Sequence, residues 1–192
     1  MILVPLTLND DVDHMEGWGM NSRLNGITIP VVTPFDDEEN VDTDALVHNL
    51  TLWNDTAVAG FMVLGTNGEF RSLDDEDSRR VVATAAAHKG TKNLVVGVGR
   101  ESTKRTIDFI ASLEPWYDHI DHFSVLTPNY FAKLMDGVAL EKYYTDIADA
   151  SPLPILLYVI PGSANGVTIP DKVLATLADH PNIVGIKDTS RQ

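Results

Sequence analysis

Asn182-Ile183-Val184-Gly185-Ile186-Lys187-Asp188 is the stretch whose reading decides the fold. Ile183 to Ile186 are apolar or small, with β-branched residues among them, and read as a strand buried on both faces, the kind found in a parallel sheet. A lysine is an unusual residue to end such a strand. Desolvating an ammonium there costs free energy, and a lysine held in that position tends to lose its proton and become a nucleophile. The plainer reading is that Lys187 has reached solvent at a strand end, as lysines ordinarily do. The residues earlier in the chain decide between the two.

Working back towards the start, the same kind of strand recurs. Pro154-Ile155-Leu156-Leu157-Tyr158, Phe123-Ser124-Val125-Leu126, Leu94-Val95-Val96-Gly97, Phe61-Met62-Val63-Leu64 and Ile27-Thr28-Ile29-Pro30-Val31-Val32-Thr33 are each followed by a helix signal. Asp42 or Thr43 opens the first helix, the acidic run Ser72 to Asp77 the second, Ser102 or Thr103 the third, Val138 the fourth and Pro170 the fifth. Leu140, Tyr143, Tyr144 and Ile147 fall on the inner face of the fourth. Six β/α alternations succeed one another with no low-complexity linker between them, which predicts an α/β domain with a parallel sheet. Residues 1–22 lack this periodicity and read as an N-terminal extension, leaving 23–192 as the domain.

Closed (β/α)₈ barrels and open doubly wound sheets both use such units, and both gather function at the carboxyl ends of strands. Here Gly65-Thr66-Asn67-Gly68-Glu69 follows strand two, Thr127-Pro128-Asn129-Tyr130 follows strand four, Tyr158 ends strand five and Lys187 ends strand six. Only a barrel brings those four ends around one axis. A barrel is therefore expected.

Composition excludes several classes of function. The formal net charge is −14, from 28 acidic and 14 basic residues, which argues against nucleic acid or an anionic membrane as partner. With no cysteine, thiolate metal sites and cysteine nucleophiles are ruled out. No apolar run approaches the roughly 18 residues of a membrane span, and Met1 to Leu8 lacks the basic start of a signal peptide, so a cytoplasmic location is expected. The six histidines form no metal set; His119 and His122 share a one-turn spacing that marks them as no more than a solvated loop. Gly97-Val98-Gly99 starts like a dinucleotide loop, but Ser102 stands in place of its third glycine, which leaves a nucleotide-binding open sheet the weakest reading.

A neutral lysine amine attacks a ketone to give a carbinolamine and then an imine, which draws electrons from the adjacent carbon. Only about one ordinary lysine in a few thousand is neutral at pH 7, so burial must lower its pKa. Proton traffic then needs hydroxyls beside the amine, and Tyr158, Tyr130 and Thr66 are the candidates. The turn Gly65-Thr66-Asn67-Gly68 offers backbone N–H groups suited to an oxyanion or carboxylate. Taken one at a time, each of these has a structural reading: a core tyrosine, an interface aromatic, a glycine turn.

Together they are similar to the signatures of the dihydrodipicolinate synthase and N-acetylneuraminate lyase superfamily. Gly65-Thr66-Asn67-Gly68-Glu69, Thr127-Pro128-Asn129-Tyr130, Leu157-Tyr158 with Pro161, and Val184-Gly185-Ile186-Lys187-Asp188 stand in that family's order from Gly26 onward. The resemblance implies a class I pyruvate aldolase on a (β/α)₈ barrel, a homo-oligomer that needs no cofactor and no metal. It implies Lys187 as the Schiff-base lysine and Tyr158 as the acid/base beside it. Thr66 and Tyr130 would be the relay, Tyr130 often crossing a tight dimer interface, and Gly65, Thr66 and Asn67 would hold the carboxylate of pyruvate.

Two departures bear on substrate. Asn67 stands where dihydrodipicolinate synthases usually have a second threonine, and Pro161-Gly162-Ser163-Ala164-Asn165-Gly166 lacks the arginine with which those synthases grip a second carboxylate. Asn67-Gly68-Glu69-Phe70, Glu101-Ser102-Thr103 and His180-Pro181-Asn182-Ile183-Val184-Gly185 look more like 4-hydroxy-2-oxoglutarate aldolases. A (β/α)₈ barrel takes about 250 residues, so this sequence accounts for a barrel truncated after strand six. Open edges at strands one and six then predict a chain that is unstable, aggregates or pairs through those edges. The alternatives to the aldolase are a 4-hydroxy-tetrahydrodipicolinate synthase and a catalytically silent barrel fragment.

Overall fold

The computed structural model describes residues 24–190, so the extension expected at 1–22 lies outside the described residues. Within them the strands are β1 (Thr28–Pro30), β2 (Gly60–Val63), β3 (Asn93–Gly97), β4 (His122–Leu126), β5 (Ile155–Val159) and β6 (Ile183–Asp188). Each pairs in parallel with the next in the chain, giving the order β1-β2-β3-β4-β5-β6. A doubly wound sheet reverses its strand order at a switch point, and this one never does. The sheet is the six-strand portion of a (β/α)₈ barrel, curled so that β6 comes within side-chain reach of β2.

Helices α1 (Thr43–Asn54), α2 (Asp75–His88), α3 (Thr103–Ser112), α4 (Gly137–Ala150) and α5 (Asp171–Ala178) fill the crossovers. Four of them begin on a side chain that takes an orphan backbone donor. Asp42 accepts from the Ala45 N–H at 2.9 Å, Asp74 from Asp77 at 2.8 Å, Ser102 from Arg105 at 3.3 Å and Asp136 from Ala139 at 2.9 Å. The acidic run before α2 is thus a cap followed by three first-turn acids, Asp75, Glu76 and Asp77, which favour the positive end of the helix dipole. The first strand is shorter than its apolar pattern predicts. Pro30 has no N–H to donate, and only the Val31 N–H, bonded to the Met62 carbonyl at 2.9 Å, carries the ladder further.

Register divides the strands into two faces. The outer one buries Phe61, Val63, Leu94, Val96, Phe123, Val125, Ile155 and Leu157 against the helices. On the inner face the pairing sets three staggered rows: Pro30, Met62, Val95 and His122; then Gly97, Ser124, Leu156 and Gly185; then Leu126, Tyr158 and Lys187. His122 corrects the sequence reading of a solvated loop, because it is fully buried in the first row. The apolar pattern of β4 starts at Phe123, and the strand begins one residue earlier.

Gly97 is required by a close approach. A Cβ there would lie 2.1 Å from the Leu64 carbonyl oxygen, and Leu64 itself adopts a left-handed backbone with φ 55°. Gly97→Ala is expected to destabilise the fold by about 3 kcal/mol, read as a lower urea midpoint at an unchanged slope.

Candidate active site

The third inner row ends at the carboxyl edge of the sheet, where function concentrates in barrels. Lys187 is only 6% exposed there. Its Nζ lies 3.5 Å from the Met62 Sδ and 3.9 Å from the centre of the Tyr158 ring. Among the described residues it has no carboxylate partner, and burial pulls its pKa down from 10.5 to about 8. About one amine in ten is then neutral at pH 7, some hundreds of times more than in an ordinary lysine. The solvent-exposed reading of Lys187 is excluded.

Tyr158, next to last in β5, lies beside it, 3% exposed, and its hydroxyl shares a hydrogen bond of 3.0 Å with Thr66 Oγ1. Burial raises the Tyr158 pKa, with the Thr66 bond acting in the opposite direction, so the phenol keeps its proton at neutral pH. Thr66 is positioned by a short 3₁₀ turn over Thr66–Gly68, bracketed by the left-handed residues Leu64 and Glu69. Strained backbone of this kind persists only where the surroundings over-determine it. Here Thr33, on the loop after β1, donates to the Gly68 carbonyl at 2.7 Å. A Cβ on Gly68 would meet the Val31 carbonyl oxygen at 2.9 Å, so the turn sits flush on that loop.

Of the predicted set, the structure gathers Lys187, Tyr158, Thr66 and the buried Gly65. Asn67, in the same turn, is exposed. Tyr130 stands apart: it is 74% exposed, stacks edge-on against Phe131 at 4.9 Å, and its hydroxyl makes no hydrogen bond among the described residues. Its backbone, however, is firmly held. One carboxylate oxygen of Glu101 accepts both the Asn129 and Tyr130 N–H groups at 2.9 Å, and the other accepts from Arg71 at 3.0 Å. From the opposite side Asn165 donates to the Asn129 carbonyl at 2.9 Å. Sequence reasoning used Glu101 only as part of a likeness and assigned no role to Asn165 or Met62. A cavity of about 170 Å³ opens beside Thr66, lined also by Phe70, Arg71, Leu126, Ile160 and Ser163.

Burial pushes the Glu101 carboxyl up, but the two backbone donors and Arg71 outweigh it and hold the pKa below its ordinary 4.5. A carboxylate of this kind contributes stability that is present above pH 4.5 and lost as the pH falls through its lowered folded value. Glu101→Gln is therefore expected to destabilise by about 1–2 kcal/mol at pH 7. The gap to the parent should narrow as the pH falls below 4.5, as measured by denaturant unfolding at pH 7 and at successively lower pH.

The model described as the dihydrodipicolinate synthetase family matches residues 23–192. A probable mitochondrial 4-hydroxy-2-oxoglutarate aldolase of Emericella nidulans is 33% identical over 170 residues, covering 85% of this chain and 54% of that protein. A 4-hydroxy-tetrahydrodipicolinate synthase of Ligilactobacillus salivarius is 34% identical over 170 residues, covering 88% and 57%. The chain thus spans about half the length of the curated relatives it matches. Among solved structures, dihydrodipicolinate synthase from Aquifex aeolicus superposes with a TM-score of 0.80 at 25% identity, over 87% of this chain and 56% of that one. A sialic acid aldolase of Ruminococcus gnavus, solved as a catalytic-lysine mutant, shares the fold with a TM-score of 0.78 at 22% identity, over 87% and 54%.

Proposed function

The chain belongs to the dihydrodipicolinate synthetase family, and from that premise we propose that it carries the Schiff-base site of a pyruvate-releasing aldolase. The observation that carries this reading is the Lys187 amine, buried with no counter-ion among the described residues, near the end of β6 beside the Tyr158–Thr66 hydrogen bond. The substrate is 4-hydroxy-2-oxoglutarate or a related 2-keto acid. Lys187 Nζ attacks the C2 carbonyl, and the carbinolamine loses water to give a protonated imine. Tyr158 accepts the C4 hydroxyl proton as it passes its own through Thr66 to water. The C3–C4 bond then breaks, its electron pair moves towards the imine to form an enamine, and glyoxylate leaves. Protonation at C3 and hydrolysis of the imine release pyruvate and restore the amine.

Gly65, Thr66 and Asn67 hold the pyruvate carboxylate in this scheme, with the N–H groups that head their turn as donors. Tyr130 joins the relay when a second copy of the chain covers its loop. An exposed apolar run of Tyr130, Phe131, Leu134 and Val138, between 64% and 79% exposed, supports a homo-oligomer formed there. Between the two activities named among the relatives, the Pro161–Gly166 stretch, which places Ser163 on the cavity and contains no arginine of its own, favours the aldolase over the synthase; the arginine that does line the cavity, Arg71, comes from the segment after β2. No helix of the described residues is long and apolar enough to cross a membrane, and the cytoplasm is the proposed location.

The test is borohydride reduction in the presence of pyruvate followed by peptide mass mapping, because reduction freezes the imine on the lysine that formed it. An adduct confined to Lys187 is expected. Soluble, folded chain with no adduct would leave the silent fragment as the better account.

A further inference from the structure

Lys187 Nζ has one hydrogen-bond partner among the described residues, and it is a sulfur from the far side of the sheet. Met62 sits in β2, separated by three strands from β6, and is fully buried. Its side chain also underlies the catalytic turn. A Cβ built on Gly65 would lie 3.5 Å from the Met62 Cε and 3.8 Å from its Sδ. One flexible side chain therefore contacts the amine and borders the turn that begins at Gly65.

We propose that Met62 is a positioning residue for the Lys187 amine, its thioether accepting one N–H so that the nitrogen is held in place by a partner too weak to stabilise an ammonium. This rests on the aldolase reading of Lys187. A thioether is a soft, weak acceptor, unlike a carboxylate or carbonyl, which would fix the amine equally well but favour its charged form. Leucine would preserve the apolar surroundings without the acceptor. A carboxamide would supply a stronger acceptor in about the same volume.

Among the described residues, few other groups are placed to set the charge of this amine. The titratable group against it is the Tyr158 phenol on β5; Asp188, next along β6, is exposed and engages Ser190. Glu69 is exposed on the turn after β2, and His122 lies two rows deeper on β4. The neighbouring inner positions of β3 and β4, Val95 and Leu126, carry no charge.

The experiment compares the whole chain with Met62→Leu and Met62→Gln by two readouts. One is the rate of Lys187 labelling by trace acetic anhydride against pH, which reads the free amine without any substrate. The other is the rate of borohydride trapping with pyruvate. Met62→Leu is expected to keep the parent labelling midpoint and to slow trapping about threefold to tenfold, because the amine is no longer held. Met62→Gln is expected to raise the labelling midpoint by about one pH unit and to lower trapping at pH 7 about tenfold, with recovery near pH 9. A packing defect does not recover with pH. The proposal is overturned if the glutamine variant keeps the parent midpoint or if the leucine variant traps at the parent rate. A parent chain that is labelled at Lys187 but forms no pyruvate adduct would instead sink the aldolase reading, with the midpoints still testing the contact.

Discussion

Lys187→Met is expected, on the proposed Schiff-base reading, to remove every pyruvate-dependent borohydride adduct and, at pH 7, to make the protein more stable by about 2–3 kcal/mol. The first effect comes from deleting the one lysine buried at the carboxyl edge of the sheet among the described residues. The second comes from linkage. Burial takes the folded pKa from 10.5 to about 8, and a depressed lysine pKa means that the unfolded chain binds the proton more tightly. Below pH 8 the proton is on in both states and the full penalty of burying it is present, about 3 kcal/mol for a shift of this size. Lost attraction to the Tyr158 ring offsets part of that, by about 0.5–1 kcal/mol. As the pH rises from 8 towards 10.5 the folded state is neutral, the penalty fades, and the methionine variant loses its advantage. Denaturant unfolding at pH 7 and pH 10 measures both ends. A variant less stable than its parent at pH 7 would mean that the amine is well solvated.

If the chain is the proposed aldolase, Tyr158→Phe is expected to lower turnover of 4-hydroxy-2-oxoglutarate by about 10²–10³-fold, within the range that a positioned acid/base supplies, while leaving an imine that pyruvate and borohydride still trap on Lys187. Only the phenolic oxygen is lost, and with it the 3.0 Å bond to Thr66. The ring that faces the amine stays. In the proposed relay Thr66 acts through that same bond, so Thr66→Val should cost less than Tyr158→Phe, and the double variant little more than Tyr158→Phe alone. Additive losses in a steady-state assay would show that the two hydroxyls work separately.

The fold was legible because its signals are local. Each strand is a short apolar run, each of four helices opens on Asp or Ser, and the consecutive order of the strands could be inferred from where Gly65, Tyr130, Tyr158 and Lys187 fall in their units. Lys187 was legible for the opposite reason, as a residue that breaks the pattern of its own strand. Met62 does not break its pattern. In sequence it is one more apolar residue in β2, and what distinguishes it is a neighbour 125 positions away. Glu101 is another acid in an acidic chain until its carboxylate is seen to gather two backbone donors and an arginine from separate loops. His122 misled because a polar residue beside a strand reads as loop, whereas the inner face of this sheet also buries Ser124 and Thr28.

The unbroken strand order has a bearing on how the molecule is made. Each βα unit lays its strand beside the one before it, so the strands already in place are always the template for the next, and the loops to be closed stay short. Such a sheet can grow by accretion as synthesis delivers it, amino end first. The Lys187–Met62 contact is the exception, since it joins the sixth strand to the second and forms only when the whole arc has curled. On the proposed Schiff-base reading the nucleophile is thus born last: until the arc closes, the nascent lysine is an ordinary solvated cation, and its reactivity would date the completion of folding.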